Sequence, residues 1–334
     1  DITTLEHVIV GRFTCAGDTV TVKEDGRFFL RNDNRKISYS VRSDNAAADA
    51  NSEGSFYSIQ AALLWLATFG GTNVSRKTKL VIRGPNTVLS TLTIPVNNLE
   101  IEGEGGASIT ISGGAPLTLF NLNGMTQFKM SKVNLFSNAT GSTAFIDSAL
   151  AVDGFFLDQV QITAGTGTWG RGLNFTAATQ TEVSLTAVRI DVAAANAVAV
   201  SMMSPSRLRI FMSHFEFTGG GVNPSTALVL GDKGGGGALG AEVAVVQNVI
   251  NAFVSSGISI YSSNFELQLN QISMAGATSS GITVLGGSFS GAISDNDVFG
   301  THQISYNIAG LNNGTDRTTD IAILGNRATG PGNQ

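Results

Sequence analysis

A drifting repeat constrains this chain more than any other feature. It runs apolar residue, two of any kind, a small polar or acidic residue, one of any kind, then usually another apolar one. It reads Phe128-Lys129-Met130-Ser131-Lys132-Val133, and it returns around Asp158, Thr186, Ser213, Asn248, Asn270, Asn296 and Asn326. A faint earlier copy surrounds Glu102. From position 102 to 326 the polar residues are spaced 29, 27, 28, 27, 35, 22, 26 and 30 residues apart. A unit of that length cannot bury its apolar face alone and must stack on its neighbours, so the repeat predicts a solenoid. Period-two alternation puts Val183, Leu185, Val188 and Ile190 on the inside. The polar residue then marks a bend between two strands, where Asn is favoured because it tolerates a left-handed backbone and bonds to its neighbours. Asn residues one rung apart, about 4.8 Å, can bond as a ladder. The late coils carry Asn at the bend and the early ones Ser, Asp or Thr, so the ladder is expected to be incomplete.

Composition agrees with many short strands. Only 13% of the 334 residues are charged and 40 are Gly, which suits tight turns and is poor for helical bundles. The net charge of −5 and the lack of a basic stripe argue against nucleic-acid binding. Cys15 stands alone, so no disulfide framework or thiolate metal site is encoded. No apolar run approaches a membrane span, and no membrane insertion is expected. The chain begins without Met or a signal peptide, so residues before Asp1 are expected to be missing.

In chain order, residues 1–45 read as a small region of short strands and turns that docks on the rest of the chain. Residues 46–106 hold a linker, a helix and the first coil. The helix is expected over Ser55–Phe69, with Ser55 as N-cap and Gly70-Gly71 as stop. Ile59, Ala62, Leu63, Leu66 and Phe69 share one face, and Leu64 and Trp65 add apolar surface elsewhere. The helix reads as a lid on the open end of a stack, with a partner-binding helix as the alternative. Residues 107–334 form the shaft, about eight intervals of about 4.8 Å, or roughly 40 Å. Gly219-Gly220-Gly221 and Gly234–Gly237 fall in the 35-residue gap and predict a projecting loop.

The start of the shaft resembles a known family. Ser58-Ile59-Gln60-Ala61-Ala62 on a helix, a strand ending near Pro85, and the turn Ile101-Glu102-Gly103-Glu104-Gly105-Gly106 are similar to the opening of pectate-lyase-like parallel β-helices. Many phage tailspikes and surface-glycan enzymes share that opening. The resemblance covers residues 55–334 and implies an all-β chain, a single-stranded right-handed parallel β-helix with an N-terminal capping α-helix. It also implies a homotrimer.

With the inward residues fixed, two outward columns emerge. One runs Lys132, Gln159, Ala187, His214, Val249, Gln271, Asp297, Arg327, the other Asn134, Gln161, Arg189, Glu216, Asn251, Ser273, Phe299. Arg189 and Glu216 would be rung neighbours, either as a surface ion pair or as groove residues for a sugar. Glu216, Asp295, Asp297 and Glu266 are the candidate acid/base carboxylates, since two carboxyls about 5–9 Å apart can flank a glycosidic bond. Asp295-Asn296-Asp297 also reads as a turn. Trp169, in a Gly-rich turn with Arg171, offers a stacking surface for a sugar ring, or else packs on the coil or a neighbouring subunit. Arg171, Arg189 and His214 complete the glycan-binding candidates. His214 has no second His or Cys at ligand spacing, so no metal is expected, and no cofactor. Phe156, Phe211 and Phe299 alternate outward and need cover, from a loop or from a second copy.

The pectinase signatures Asn-Thr-Asp, Gly-His-Gly and Arg-Ile-Lys are absent. The expectation is therefore a spike on a virion surface that binds host capsule or lipopolysaccharide, with its N-terminal region contacting other virion proteins. A secreted or phage-borne polysaccharide lyase or glycoside hydrolase is the alternative, and a purely structural virion protein the third reading.

Overall fold

The computed structural model describes residues 12–16, 19–24, 37–42, 55–69, 77–113, 118–138, 144–164, 170–177, 179–219, 224–231, 239–309 and 318–330. Trp169, Gly70-Gly71 and Gly234–Gly237 lie outside these residues. The described chain is a parallel β-solenoid of about eight turns with one short helix. Each coil contributes three strands. In one coil these are Val152–Asp158 on the first wall, Gln161–Ala164 on the second and Arg171–Phe175 on the third. The first two walls form one 20-stranded sheet around a bend, and the third is a separate nine-stranded sheet. All their pairings are parallel, each strand hydrogen-bonding to its equivalents one coil before and after.

Inward residues of all three walls meet in one apolar core. Phe128 and Phe155 stack one rung apart, with centroids 5.7 Å apart and planes at 12°. Phe155 also meets Phe175 of the third wall edge-on at 5.1 Å. Offset and edge-on pairs add to the area these rings bury.

At the N-terminal end, Arg12–Ala16 and Thr19–Glu24 form an antiparallel hairpin. Ile37–Arg42 is a rung of the first wall, parallel to the strand Thr78–Val88. The helix spans Ile59–Phe69. Its N-cap is Ser58, not Ser55: the Ser58 hydroxyl accepts from the Ala61 amide at 3.1 Å. Ser55 instead pairs with Ser40 in a strand. Ile59, Ala62, Leu63 and Leu66 are buried against the first coils. Trp65 packs on Tyr39 and Phe56, while Leu64 stays 69% exposed. The opposite end differs. Ile323 continues the inward column of Leu267 and Ile293 but is 47% exposed, because no further described rung covers it.

The bends obey a rule finer than the sequence repeat. From the coil of Thr126–Ser131 onward, each coil leaves the first wall through one left-handed residue, in order Lys132, Gln159, Ala187, Met212, Gln247, Leu269, Asp295 and Gly325. A second left-handed position lies at the start of the first wall and includes Glu182, Arg207 and Glu242, with φ of 55°, 54° and 55°. The residue after the first of these bends carries the ladder. Val188 donates its amide to Ser213 Oγ at 3.1 Å, Ser213 to Asn248 Oδ1 at 2.8 Å, and Asn248 to Asn270 Oδ1 at 3.1 Å. Asn270 donates to Asn296 Oδ1 at 3.0 Å, and Asn296 to Asn326 Oδ1 at 2.9 Å. Each side chain thus receives a bend amide from the rung before it, which would otherwise be buried and unpaired.

This register corrects the sequence repeat. Thr186 pairs with Phe211, two residues before Ser213. Ser131, Asp158 and Thr186 therefore share a column with Phe211, Val246 and Gln268. They are outward residues that close the first-wall strands. Ser213, Asn248, Asn270, Asn296 and Asn326 belong instead to the inward position that Val188 fills in the earlier coil. Between those copies the repeat slips by two residues, and the outward columns drawn from it slip as well.

Candidate functional site

Two of the charged clusters among the described residues bear on the site. The first is on the second wall. Arg189 pairs in register with His214, and Asp191 with Glu216. The expected contact of Arg189 with Glu216 is present, but it runs diagonally: Arg189 Nη2 donates to Glu216 Oε2 at 2.8 Å. Its Nε donates to both oxygens of Asp191, at 3.0 and 3.1 Å. Asn251 Nδ2 donates to Glu216 Oε1 at 3.5 Å, and His214 Nε2 lies 3.5 Å from Glu216 Oε2. That His nitrogen is sealed from solvent without a hydrogen bond. Asp191 is 5% exposed, and burial pushes its carboxyl up, opposed by the Arg189 guanidinium. One guanidinium thus clamps two carboxylates on successive rungs. Its Nε and Nη2 are engaged, and Glu216 accepts from Arg189 and Asn251. The cluster is a clamp between rungs.

The other expected site residues are scattered. Arg171 is on the third wall, where Nη1 donates to Asn174 Oδ1, and Asn174 Nδ2 donates to Asp147 Oδ1 at 2.6 Å. Glu266 faces outward on the first wall between Ala244 and Ala292. Asp295 is the left-handed bend residue of its coil and is exposed. Asp297 lies beyond that bend on the second wall, between Gln271 and Arg327. Its Oδ1 is buried without a hydrogen-bond partner. Asp295 is at the bend and Asp297 beyond it on the second wall, while Glu266 is in the first wall. The acidic trio does not converge. Among the described residues no group of three His, Cys, Asp or Glu side chains is placed to hold a metal ion.

The second cluster surrounds a hollow of about 390 Å3 on the first wall, lined by Phe156, Glu182, Val183, Ser184, Arg207, Arg209 and Glu242. Ligand sites range over about 300–1,000 Å3. Two outward columns form it. Phe156, Ser184 and Arg209 stand on successive rungs. Beside them run Glu182, Arg207 and Glu242, which face outward because their left-handed φ breaks the in-and-out alternation just before inward Val183, Leu208 and Val243. The hollow opens at Ser184, a small residue between two large ones. Arg207 Nη1 pairs with Glu182 Oε1 at 3.3 Å. Among the described residues, neither Arg209 nor Glu242 has an ion-pair or hydrogen-bond partner. An aromatic face, a cation rich in donors and a carboxylate acceptor therefore meet around an open floor, held on backbone rungs that do not need to move. Such a surface can seat a short stretch of glycan, with one ring's apolar face on Phe156 and the hydroxyls of a neighbouring ring on Arg209 and Glu242.

Sequence alternation identifies Phe156 as outward but misses its partners. Their signal is the column two residues before the polar repeat position, which holds Phe156 before Asp158 and Ser184 before Thr186. The two-residue slip then puts Phe211 where Arg209 belongs.

The fold expected from the sequence resemblance, a parallel β-solenoid, is the one present. No protein-family model matches the chain, and no curated protein matches it. Solved structures with similar coils include Geobacillus virus E2 ORF18, at TM-score 0.43 and 12% identity over 82% of this chain and 62% of that one. The chain thus spans less than two-thirds of that protein. Others are PfbA, a surface adhesin of Streptococcus pneumoniae, at TM-score 0.43 and 11% identity over 89% of this chain and 92% of that one, and the Dettilon tailspike protein, at TM-score 0.38 and 10% identity over 86% of this chain and 68% of that one. At such identities these likenesses assign neither ligand nor reaction.

Proposed function

We propose that this protein is a virion-surface spike that attaches to a polysaccharide of the host surface, with the first-wall hollow as its contact point. The observation that carries this reading is the hollow itself: Phe156, Arg209 and Glu242 around the small Ser184. The virion setting, the grouping of three copies side by side, and the attachment of the N-terminal region to other virion proteins rest on the sequence resemblance. Exposed Phe211, at 36%, is a residue such neighbours would cover.

A polysaccharide-cleaving enzyme is the second reading, and one feature favours it. Glu182 and Glu242 stand in one column two rungs apart, about 9.6 Å along the stack, near the upper limit for a carboxylate pair that flanks a glycosidic bond with a water between, roughly 9.5 Å. Against it, Glu182 is bound to Arg207. Incubation of the purified protein with candidate capsules and lipopolysaccharides separates the readings. Binding without new reducing ends or unsaturated sugars supports the spike; release of either from a bound glycan sinks the binding-only reading.

A further inference from the structure

We infer that the first-wall hollow takes an uncharged sugar residue of its glycan and rejects uronates, sialic acids and phosphorylated sugars. The inference rests on the glycan-binding reading and adds the ligand's charge to it.

The lining carries two cations and two anions. Glu182 and Arg207 neutralise each other across 3.3 Å, which leaves Arg209 and Glu242. These two are on successive rungs in adjacent columns, since Glu242 stands one rung beyond Arg207 and Arg209 two residues along from it. Arg209 offers only donors and Glu242 only acceptors. A hydroxyl both donates and accepts, so neighbouring hydroxyls on one ring satisfy both groups at once. A sugar carboxylate satisfies Arg209 alone and meets Glu242 as a like charge. A sugar ammonium satisfies Glu242 and meets Arg209. The net charge of −5 adds a long-range term against acidic polymers. Phe156 supplies the apolar platform for a ring, and Ser184 the space beside it. A larger side chain at 184 fills that space without touching the core, because residue 184 faces outward between inward Val183 and Leu185.

The test is binding of the full chain to an array of neutral oligosaccharides (glucans, galactans, mannans, rhamnans) and acidic ones (oligogalacturonates, oligosialic acids), with affinities from calorimetry. The expected result is binding to neutral glycans only, changing less than about twofold between low salt and about 0.5 M NaCl. Ser184→Leu, Phe156→Ala and Arg209→Ala each weaken it roughly tenfold or more, while Gln271→Ala, exposed on the second wall, leaves it unchanged. Thermal melting and circular dichroism show that each variant is folded. Preference for an acidic glycan, with affinity falling steeply as salt rises, overturns this inference and leaves the glycan-binding reading standing. Neutral binding that survives Ser184→Leu also overturns it, by placing the sugar elsewhere. Failure to bind any glycan, neutral or acidic, defeats both readings.

Discussion

Replacing Asn270 by Val tests the ladder at its centre. Asn270 is 1% exposed. Its Oδ1 accepts from the Asn248 amide at 3.1 Å and from Asn248 Nδ2 at 3.0 Å. Its Nδ2 donates to the Val245 carbonyl at 2.8 Å and to Asn296 Oδ1 at 2.9 Å. Val is close in size, and an earlier coil already carries Val188 at the same position, so the substitution leaves no large void. It does strand the Asn248 amide, at about 1–3 kcal/mol, and removes three further bonds at about 1 kcal/mol each. Asn248 Nδ2 keeps its bonds to the Ile210 and Val246 carbonyls, at 3.0 and 3.1 Å, which limits the loss there. Extra buried hydrocarbon returns about 1.5 kcal/mol. The expected net loss is about 3 kcal/mol.

Ser213→Val is the comparison. It strands the Val188 amide and removes the hydroxyl's bond to the Phe211 carbonyl at 3.1 Å. In return it extends an apolar column into which Val188 already fits. The expected loss is about 1 kcal/mol. Urea midpoints rank the two variants, and hydrogen exchange locates the effect. The Asn248 amide should exchange about a hundredfold faster in Asn270→Val, while amides on the third wall several coils away stay protected. If Asn270→Val costs no more than Ser213→Val, the ladder contributes nothing that a valine column does not, and the reasoning fails.

Three smaller perturbations probe other parts of the structure. Ser58→Ala should cost about 1 kcal/mol by removing the helix cap, and Ser55→Ala under about 0.5 kcal/mol, as read from urea midpoints; equal effects would restore Ser55 as the cap. Ala187, exposed at φ 51°, holds a left-handed conformation that disfavours side chains, so Ala187→Gly should stabilise by about 0.5–1 kcal/mol and Ala187→Val should destabilise by about 1–2 kcal/mol; a gain from Val would refute the assignment. Burial, helped by the charge of Asp297, pushes the Tyr306 hydroxyl up to about 12 from 10.0. The folded state keeps that proton while the unfolded chain loses it, so stability is full below pH 10 and falls as pH rises through 12, by roughly 1–2 kcal/mol after allowance for solvent screening. Absorbance titration of tyrosinate in the protein and in Tyr306→Phe checks this: the variant should lack the latest-titrating step.

The shaft was legible in the sequence for one reason: inward positions of a solenoid must be apolar in every coil, and Met130, Leu157, Leu185 and Ile210 satisfy that on consecutive rungs. Apolar spacing alone could not fix the phase. A residue pattern records which positions are buried, but a buried bend position can be filled in two ways: by Val, which packs, or by Ser or Asn, which caps an amide. Val188 and Ser213 occupy equivalent places and share no property a repeat search would weigh. The nearest polar residue in the earlier coil is outward Thr186, and alignment by polarity therefore pairs it with inward Ser213. The same ambiguity decided what could be seen of the candidate site. Ion pairs reach across a slip of two residues, because a diagonal Arg189–Glu216 contact serves as well as a lateral one, and that cluster is visible from either phase. A hollow has no such tolerance. It exists because a small side chain stands between two large ones in one column, and the order Phe156, Ser184, Arg209 appears only when the third rung is in register. The left-handed residues that turn Glu182, Arg207 and Glu242 outward were further from view. Their φ is set by the path of the coil, and Glu and Arg carry no local preference for it.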